Sequence, residues 1–515
     1  MIKEYTPEPL TDFSKEENRR AFEQALELVK SQFGKEYPLV INGEKVYTEK
    51  KIVSYNPAKK EEVVGVVSKA TQELADRAIK EASEVFEEWK NWAPDARARL
   101  LFKAAAIMRR RKHEMSATMV YEAGKSWVEA DADTAEAIDF MEYYGRQMIR
   151  LGGSMPVTPM PGETNDNYYI PLGVGIIIPP WNFPLAILTG MSAGAVVAGN
   201  PIILKPASAT PVIGAKFVEI MEEAGMPHGV VNFLPGSGGE VGDFLVEHPL
   251  TRFISFTGSK EVGLRILQKA AQVAPGQKWI KRVVTEMGGK DAVLVNNDAD
   301  LEAAATAIVA SAFGFQGQKC SAGSRAIIHK DVYDEVLEKV VAKTKALKKG
   351  YTEDGSVYLG PVVDKSAFDN INRYIEIGKG EARLACGGNS DDSEGYYIEP
   401  TVFADVDSKA VIGQEEIFGP VLSVIKAEDI EDGFRIFNDT EYGLTGSLYA
   451  KDRAIIERGR KELHCGNLYF NRKSTGASVG AHPFGGFNMS GTDSKTGSED
   501  YLLLFMQAKS ISEAL

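Results

Sequence analysis

The chain has 515 residues, 44% hydrophobic and 25% charged, with a formal net charge of −13. That length predicts two or three globular domains rather than one core. The acidic balance, without a long run of either sign, argues against nucleic acid as a partner, because phosphate backbones select clustered Lys and Arg.

The three cysteines, Cys320, Cys386 and Cys465, are too few and too odd in number for a disulfide framework. They fit a reducing compartment, and a cytoplasmic location is expected. The first residues, Met1-Ile2-Lys3-Glu4-Tyr5, carry no apolar signal core.

Along the chain, residues 1–40 are charged and read as a helical arm. Gly152 to Tyr169 has no helical period and reads as a protruding hairpin. No charge falls between Asn167 and Leu204, but Pro171, Pro179, Pro180, Pro184 and Pro201 break the stretch, so no membrane span is expected. Strands are predicted at Val174–Ile178, Ile202–Leu204, Val230–Leu234 and Phe253–Phe256. Helices are predicted at Leu185–Ala198 and Pro211–Ala224, and near Glu240 and Lys260. The pattern restarts near Glu286 with strand Ala292–Val295, helix Leu301–Phe313, strand Arg325–His329 and helix Val332–Leu347. Such alternation indicates two doubly wound α/β units with parallel sheets, and a cleft between them. The tail Leu502–Leu515 ends extended, and with the hairpin it hints at self-association, since exposed strands need partners.

Phosphate motifs need care. Gly124-Lys125-Ser126 resembles the end of a P-loop, but Met119 stands where glycine is required. Gly258-Ser259-Lys260-Glu261-Val262-Gly263 is followed by Leu264 and Arg265 instead of Lys and Ser/Thr. Gly236-Ser237-Gly238-Gly239 lacks its third glycine at Val241. Gly258 and Ser259 still join a strand to a helix, where free amides either bind phosphate oxygens or are simply capped. Lys205 closes a strand, at the edge where parallel sheets bind ligands or where a lysine is merely solvated.

Cys320 lies among small and polar residues, Phe315-Gln316-Gly317-Gln318-Lys319-Cys320-Ser321. Glu286 lies in Thr285-Glu286-Met287-Gly288-Gly289. A reachable thiol and a carboxylate among glycines suggest a nucleophile and a general base serving one carbon atom. The six histidines show no ligand spacing, and no metal is expected.

Seven motifs occur in order: Pro180-Trp181-Asn182-Phe183, Lys205-Pro206-Ala207-Ser208, Phe256-Thr257-Gly258-Ser259, Glu286-Met287-Gly288-Gly289, Gly317-Gln318-Lys319-Cys320, Glu416-Ile417-Phe418-Gly419-Pro420 and Pro483-Phe484-Gly485-Gly486. From about residue 40 onward the chain resembles the aldehyde dehydrogenase superfamily. Gln318-Lys319-Cys320-Ser321-Ala322 and Ser474-Thr475-Gly476-Ala477-Ser478-Val479-Gly480 are similar to its 1-pyrroline-5-carboxylate (glutamate-γ-semialdehyde) dehydrogenase branch.

The resemblance implies a Rossmann-like NAD-binding domain (41–151 and 170–285), a catalytic domain (286–488), and an oligomerisation hairpin and tail (152–169 and 489–515). It implies Cys320 as nucleophile, Glu286 as base for thioester hydrolysis and Asn182 as oxyanion donor. Lys205, Ser208, Gly258, Ser259, Glu416, Phe418 and Trp181 would hold NAD. Ser208 neither repels nor attracts an extra phosphate, so NADP stays open. Glu415 is an alternative to Glu416. Phe183, Ser321, Gly476, Ala477 and Phe484 would hold a small carboxylate-bearing aldehyde, glutamate semialdehyde. A homodimer or higher homo-oligomer is expected. Three other readings are open: a succinic semialdehyde oxidase, a dinucleotide-binding protein on a retired enzyme fold, and a cysteine hydrolase.

Overall fold

Near-continuous Ile, Val and Leu runs need cover on both faces, and two seven-stranded sheets provide the place for them. The computed structural model describes residues 3–515, so the first two residues of the expected arm lie outside the described residues. The first sheet runs in the order Arg282–Glu286, Phe253–Thr257, Gly175–Ile178, Ile202–Leu204, Val231–Phe233, Leu39–Ile41, Glu44–Val46. The first five strands are parallel, and the last two pair antiparallel. The second sheet runs in the order Arg383–Cys386, Thr401–Ala404, Val421–Ala427, Arg325–His329, Ala292–Val295, Thr445–Tyr449, Asn467–Phe470. Only Arg383–Cys386 is antiparallel there.

Helices cover both sheets, and their starts follow local chemistry. Asp300 accepts from Ala303 N at 3.0 Å and caps Leu301–Phe313. Ala186–Val197 is apolar all round, as a fully covered helix must be, and Asp133 Oδ1 accepts its Ala186 N at 2.6 Å. Pro211–Glu223 opens on proline, and buried Glu122 accepts Val212 N (2.7 Å) and Ile213 N (2.9 Å) at its positive end. Burial pushes the Glu122 carboxyl up to about 7 all the same.

The helical reading of residues 1–40 is corrected. Only Glu16–Lys30 is helical, with Phe22, Leu26 and Val29 buried. Lys35–Tyr37 and Leu39–Ile41 are strands, because Tyr37-Pro38-Leu39-Val40-Ile41 is an apolar, proline-interrupted run suited to a sheet. Nor do the residues before the helix hang free. Glu8 N donates to Asp139 Oδ1 (2.8 Å) and Thr11 N to Asp131 Oδ2 (2.7 Å), both carboxylates lying on helix Trp127–Leu151.

The expected hairpin also differs. Glu163–Pro171 pairs antiparallel with this chain's own tail, Met506–Ala514, from Met506↔Pro171 to Ala514↔Glu163. Between the two arms of the expected hairpin there is a single bridge, Met155↔Asn167. The uncharged stretch breaks into strand, loop, helix and strand, and no helix among the described residues is long and apolar enough to cross a membrane.

Candidate active site

Four neighbouring strands of the first sheet deliver side chains at one edge. After Gly175–Ile178 come Trp181, Asn182 and Phe183; after Ile202–Leu204 comes Lys205; after Phe253–Thr257 come Gly258 and Ser259; Arg282–Glu286 ends on Glu286 itself. The registers Thr257↔Glu286 and Phe256↔Ile178 keep these ends level. Carboxyl ends of parallel strands are the ligand edge of such sheets.

The second sheet contributes from the opposite polarity. Cys320 precedes strand Arg325–His329, Glu416 and Phe418 precede Val421–Ala427, and Gly288 and Gly289 precede Ala292–Val295. Helix Leu301–Phe313 ends in a tight turn with positive φ at Phe315 (48°), Gln316 (57°) and Gly317 (67°). Side chains hold that turn. Gln316 Nε2 donates to the carbonyls of Gly124 (3.1 Å) and Pro361 (2.7 Å), and Gln318 Oε1 accepts from Val363 N (2.9 Å).

The two edges meet. Asn182 Nδ2 donates to the Gln318 carbonyl at 3.0 Å, two residues before Cys320. One amide hydrogen thus fixes the side chain, and the second is free to donate. The Trp181 and Phe418 rings meet edge to face, centroids 5.4 Å apart. Glu416 Oε1 accepts from Gly289 N at 3.0 Å, so Glu416, not Glu415, joins the cluster; Glu415 is exposed and accepts from the Tyr374 hydroxyl at 2.6 Å. Glycine lets these groups close up: a Cβ on Gly288 would displace the Glu416 carboxylate, and one on Gly289 would sit 2.7 Å from the Cys320 carbonyl.

Burial sets the electrostatics. Glu286 accepts from Ser494 Oγ (2.9 Å) and Gly486 N (3.4 Å), yet burial pushes its carboxyl up to about 8. Glu416 is pushed up to about 7 by the same cause. Cys320 is only partly buried, and desolvation, then the charges of Asp291, Glu416 and Glu286, hold its thiol well above the usual range. No histidine is among those charges, as a Cys-His hydrolase would need. Burial draws Lys205 down to about 8, and its ammonium has no hydrogen-bond or ion-pair partner among the described residues. Ser259 Oγ caps helix Lys260–Ala270 by accepting from Val262 N at 3.4 Å. Ser208 is exposed beyond Lys205. Among the described residues no group of three or more His, Cys, Asp or Glu could hold a metal ion.

Farther along the cleft, Phe183 stacks under the Lys125 ammonium (4.2 Å), which also lies 4.3 Å from the Phe315 ring and 2.9 Å from Asp133 Oδ2. Lys319 pairs with both oxygens of Glu129 at 2.7 Å. The Ser321 carbonyl accepts from Thr445 Oγ1 and Ser474 Oγ, each at 3.4 Å, tying the Cys320 turn to the 474–480 loop. Gly476 is exposed with φ +81°, Ala477 is partly buried, and Phe484 is held by a two-way bridge to Thr496. Sequence reasoning put no positive side chain at this loop. The structure brings Arg472 to it: Nη2 donates to the carbonyls of Thr475 and Gly476, both at 3.0 Å. It also missed Tyr5, whose hydroxyl donates to the Val479 carbonyl at 3.4 Å, and the buried Lys125–Asp133 pair. Only Lys125 had a signal, the Gly124-Lys125-Ser126 triplet, read there as a failed P-loop.

Residues 45–511 match the aldehyde dehydrogenase family, and the chain belongs to it. Within that family it is 62% identical over 513 residues to 1-pyrroline-5-carboxylate dehydrogenase of Geobacillus sp. (strain WCH70), and 60% identical over 514 residues to the protein of that name from Bacillus subtilis (strain 168), covering 100% of both chains each time. A solved structure, 1-pyrroline-5-carboxylate dehydrogenase from Thermus with bound NAD, matches at TM-score 0.99 and 53% identity, again over 100% of both chains.

Proposed function

We propose that the protein oxidises L-glutamate γ-semialdehyde, the ring-opened form of 1-pyrroline-5-carboxylate, to L-glutamate with NAD, in proline or arginine breakdown. The observation that carries this is the meeting of Asn182, Cys320 and Glu286 from two sheets at one cleft, in a chain similar over its whole length to dehydrogenases of that name.

Cys320 Sγ attacks the aldehyde carbon; because burial and the neighbouring carboxylates hold the thiol protonated, its proton passes to solvent only as the C–S bond forms. The developing oxyanion accepts from the second hydrogen of Asn182 Nδ2 and from Cys320 N–H. NAD, held by the residues described below, would supply the hydride acceptor for this carbon. The acyl group is then a thioester on Sγ. Glu286 draws a proton from water, the water oxygen attacks, and Cys320 leaves as thiol and carboxylic acid form. A base pushed up to about 8 still has a useful ionised fraction near neutrality and is strong enough to take that proton.

The residues suit the dinucleotide. Lys205, a buried ammonium without a partner, is a donor for adenosine ribose oxygens. Gly258 and Ser259, at a helix start, suit a pyrophosphate. Glu416 suits the nicotinamide ribose, with Phe418 and Trp181 beside the ring. Ser208 leaves room for NADP as well. Phe183 and Phe484 flank the substrate's aliphatic part, and Ser321 with the amides of Gly476 and Ala477 takes its carboxylate.

Residues 41–151 and 170–285 form the NAD-binding domain in this reading, and 286–488 the catalytic domain. The ribbon of 163–171 and 506–514 serves self-association as a homodimer or larger oligomer, supported by a tail exposed from Gln507 to Ala514. Three unpaired cysteines favour the cytoplasm.

The test is NADH formation with pyrroline-5-carboxylate against succinic semialdehyde. The expected kcat/KM ratio favours pyrroline-5-carboxylate by at least about tenfold. A ratio in favour of succinic semialdehyde would overturn the substrate.

A further inference from the structure

The 474–480 loop commits only some of its backbone polar groups to the protein. Ser474 N donates to Ser311 Oγ (3.1 Å), Ser478 N to His482 Nδ1 (3.1 Å) and Gly480 N to the Gly497 carbonyl (2.9 Å). The Ser478 carbonyl takes Ala481 N (3.1 Å) and His482 N (2.8 Å). The amides of Thr475, Gly476 and Ala477 run consecutively without an acceptor among the described residues, as does that of Val479 further on. Consecutive unpaired amides in a turn are an anion receptor in waiting.

Arg472 dictates where two of them point. Its Nη2 holds the carbonyls of Thr475 and Gly476 at 3.0 Å each. Those carbonyls share peptide planes with the N–H groups of Gly476 and Ala477. Among the described residues there is no cis peptide bond, and in a trans peptide the N–H points opposite to the C=O. Fixing both carbonyls on the guanidinium therefore turns both N–H groups to the far side. The cation also polarises the two peptides, making the far side more positive. The guanidinium is itself seated over the Tyr469 ring, 4.3 Å from its centre.

We propose that Arg472 is a positioning residue for the substrate carboxylate: without touching it, Arg472 orients and polarises the Gly476 and Ala477 amides that bind it. This rests on the assignment of those amides to the carboxylate made above. Arg472 thereby sets discrimination between aldehydes with and without a distal carboxylate.

The experiment compares glutamate semialdehyde with propanal, which has no carboxylate, in Arg472→Met, Arg472→Gly and Ala477→Pro. Proline at 477 removes one receptor N–H without removing the Arg472 guanidinium. For Arg472→Met, KM for glutamate semialdehyde should rise about 10- to 100-fold, with kcat and the kinetics of propanal within about threefold of the parent. Added guanidinium ion should lower the raised KM of Arg472→Gly. Ala477→Pro should likewise raise KM for glutamate semialdehyde and lower the preference for it over propanal. If Ala477→Pro loses carboxylate discrimination and Arg472→Met keeps it, the positioning role is overturned while the receptor stands. If neither loses it, the receptor assignment falls as well. If Arg472→Met impairs both aldehydes equally, Arg472 only supports the fold and the proposal is overturned.

Discussion

The two large sheets have the same strand count and nearly the same parallel pattern, yet they serve the cleft in opposite ways. The first presents the carboxyl ends of its strands, where Lys205, Gly258 and Glu286 emerge directly from the ladder and Asn182 follows on the bend after Ile178. The second presents the segments that precede its strands, so Cys320, Glu416 and the Gly288-Gly289 pair sit on turns. Residues at strand ends inherit their direction from the sheet. Residues on turns need separate fixing, and the second edge supplies it through Gln316, Gln318 and close glycine contacts. A sheet end is a rigid donor platform; a braced turn can hold a nucleophile in a backbone shape no strand allows.

Substitutions on each edge sharpen this contrast. The largest effect is expected for Asn182→Ala, on the strand-end side. It removes the oxyanion donor of the proposed mechanism and the link to the Gln318 carbonyl, and should lower the chemical step about 10²–10³-fold with cofactor affinity kept. Rapid-mixing kinetics measure it, and parental turnover would remove Asn182 from the mechanism. A smaller, selective effect is expected for Gly288→Ala on the turn side. The new Cβ would collide with the mobile end of Glu416, so the carboxylate swings away and the fold survives. KM for NAD should rise about tenfold, the loss of roughly one charged hydrogen bond, with little change in thermal midpoint. A large drop in that midpoint instead would show that the turn, not the ligand contact, depends on the glycine.

An effect of similar size per unit is expected with pH. In the proposed mechanism Glu286 must be ionised to draw a proton from water, and burial pushes its carboxyl up to about 8. Hydrolysis of preformed acyl-enzyme should therefore speed up about tenfold per pH unit below that value and level off above it. A flat rate between pH 6 and 8 would place the base elsewhere.

The same contrast explains what could be read from the sequence. Ile202–Leu204, Ala292–Val295, Arg325–His329 and Leu301–Phe313 agree to the residue, because buried strands and alanine-rich helices announce themselves by composition. Lys205 and Gly258 could be placed at a ligand edge from strand ends alone. Cys320 could be found by its neighbours, but not its turn: positive φ at Phe315 and Gln316 leaves no mark in composition, since neither residue is glycine or asparagine. Non-local pairings were equally silent. Nothing local in Glu163–Pro171 says that its partner lies at Met506–Ala514, and nothing in Arg472 says that it grips the Thr475 carbonyl. The strands at 35–41 were hidden by the charged helix before them.

The covalent step at Cys320 is tested most directly by trapping its product. Glu286→Gln keeps the shape of the side chain and removes the base. Mixed with pyrroline-5-carboxylate and NAD, this variant should release one NADH per site in a burst, and intact-mass spectrometry should then find the acyl group on Cys320. Parental steady-state turnover with no adduct on Cys320 would contradict the account.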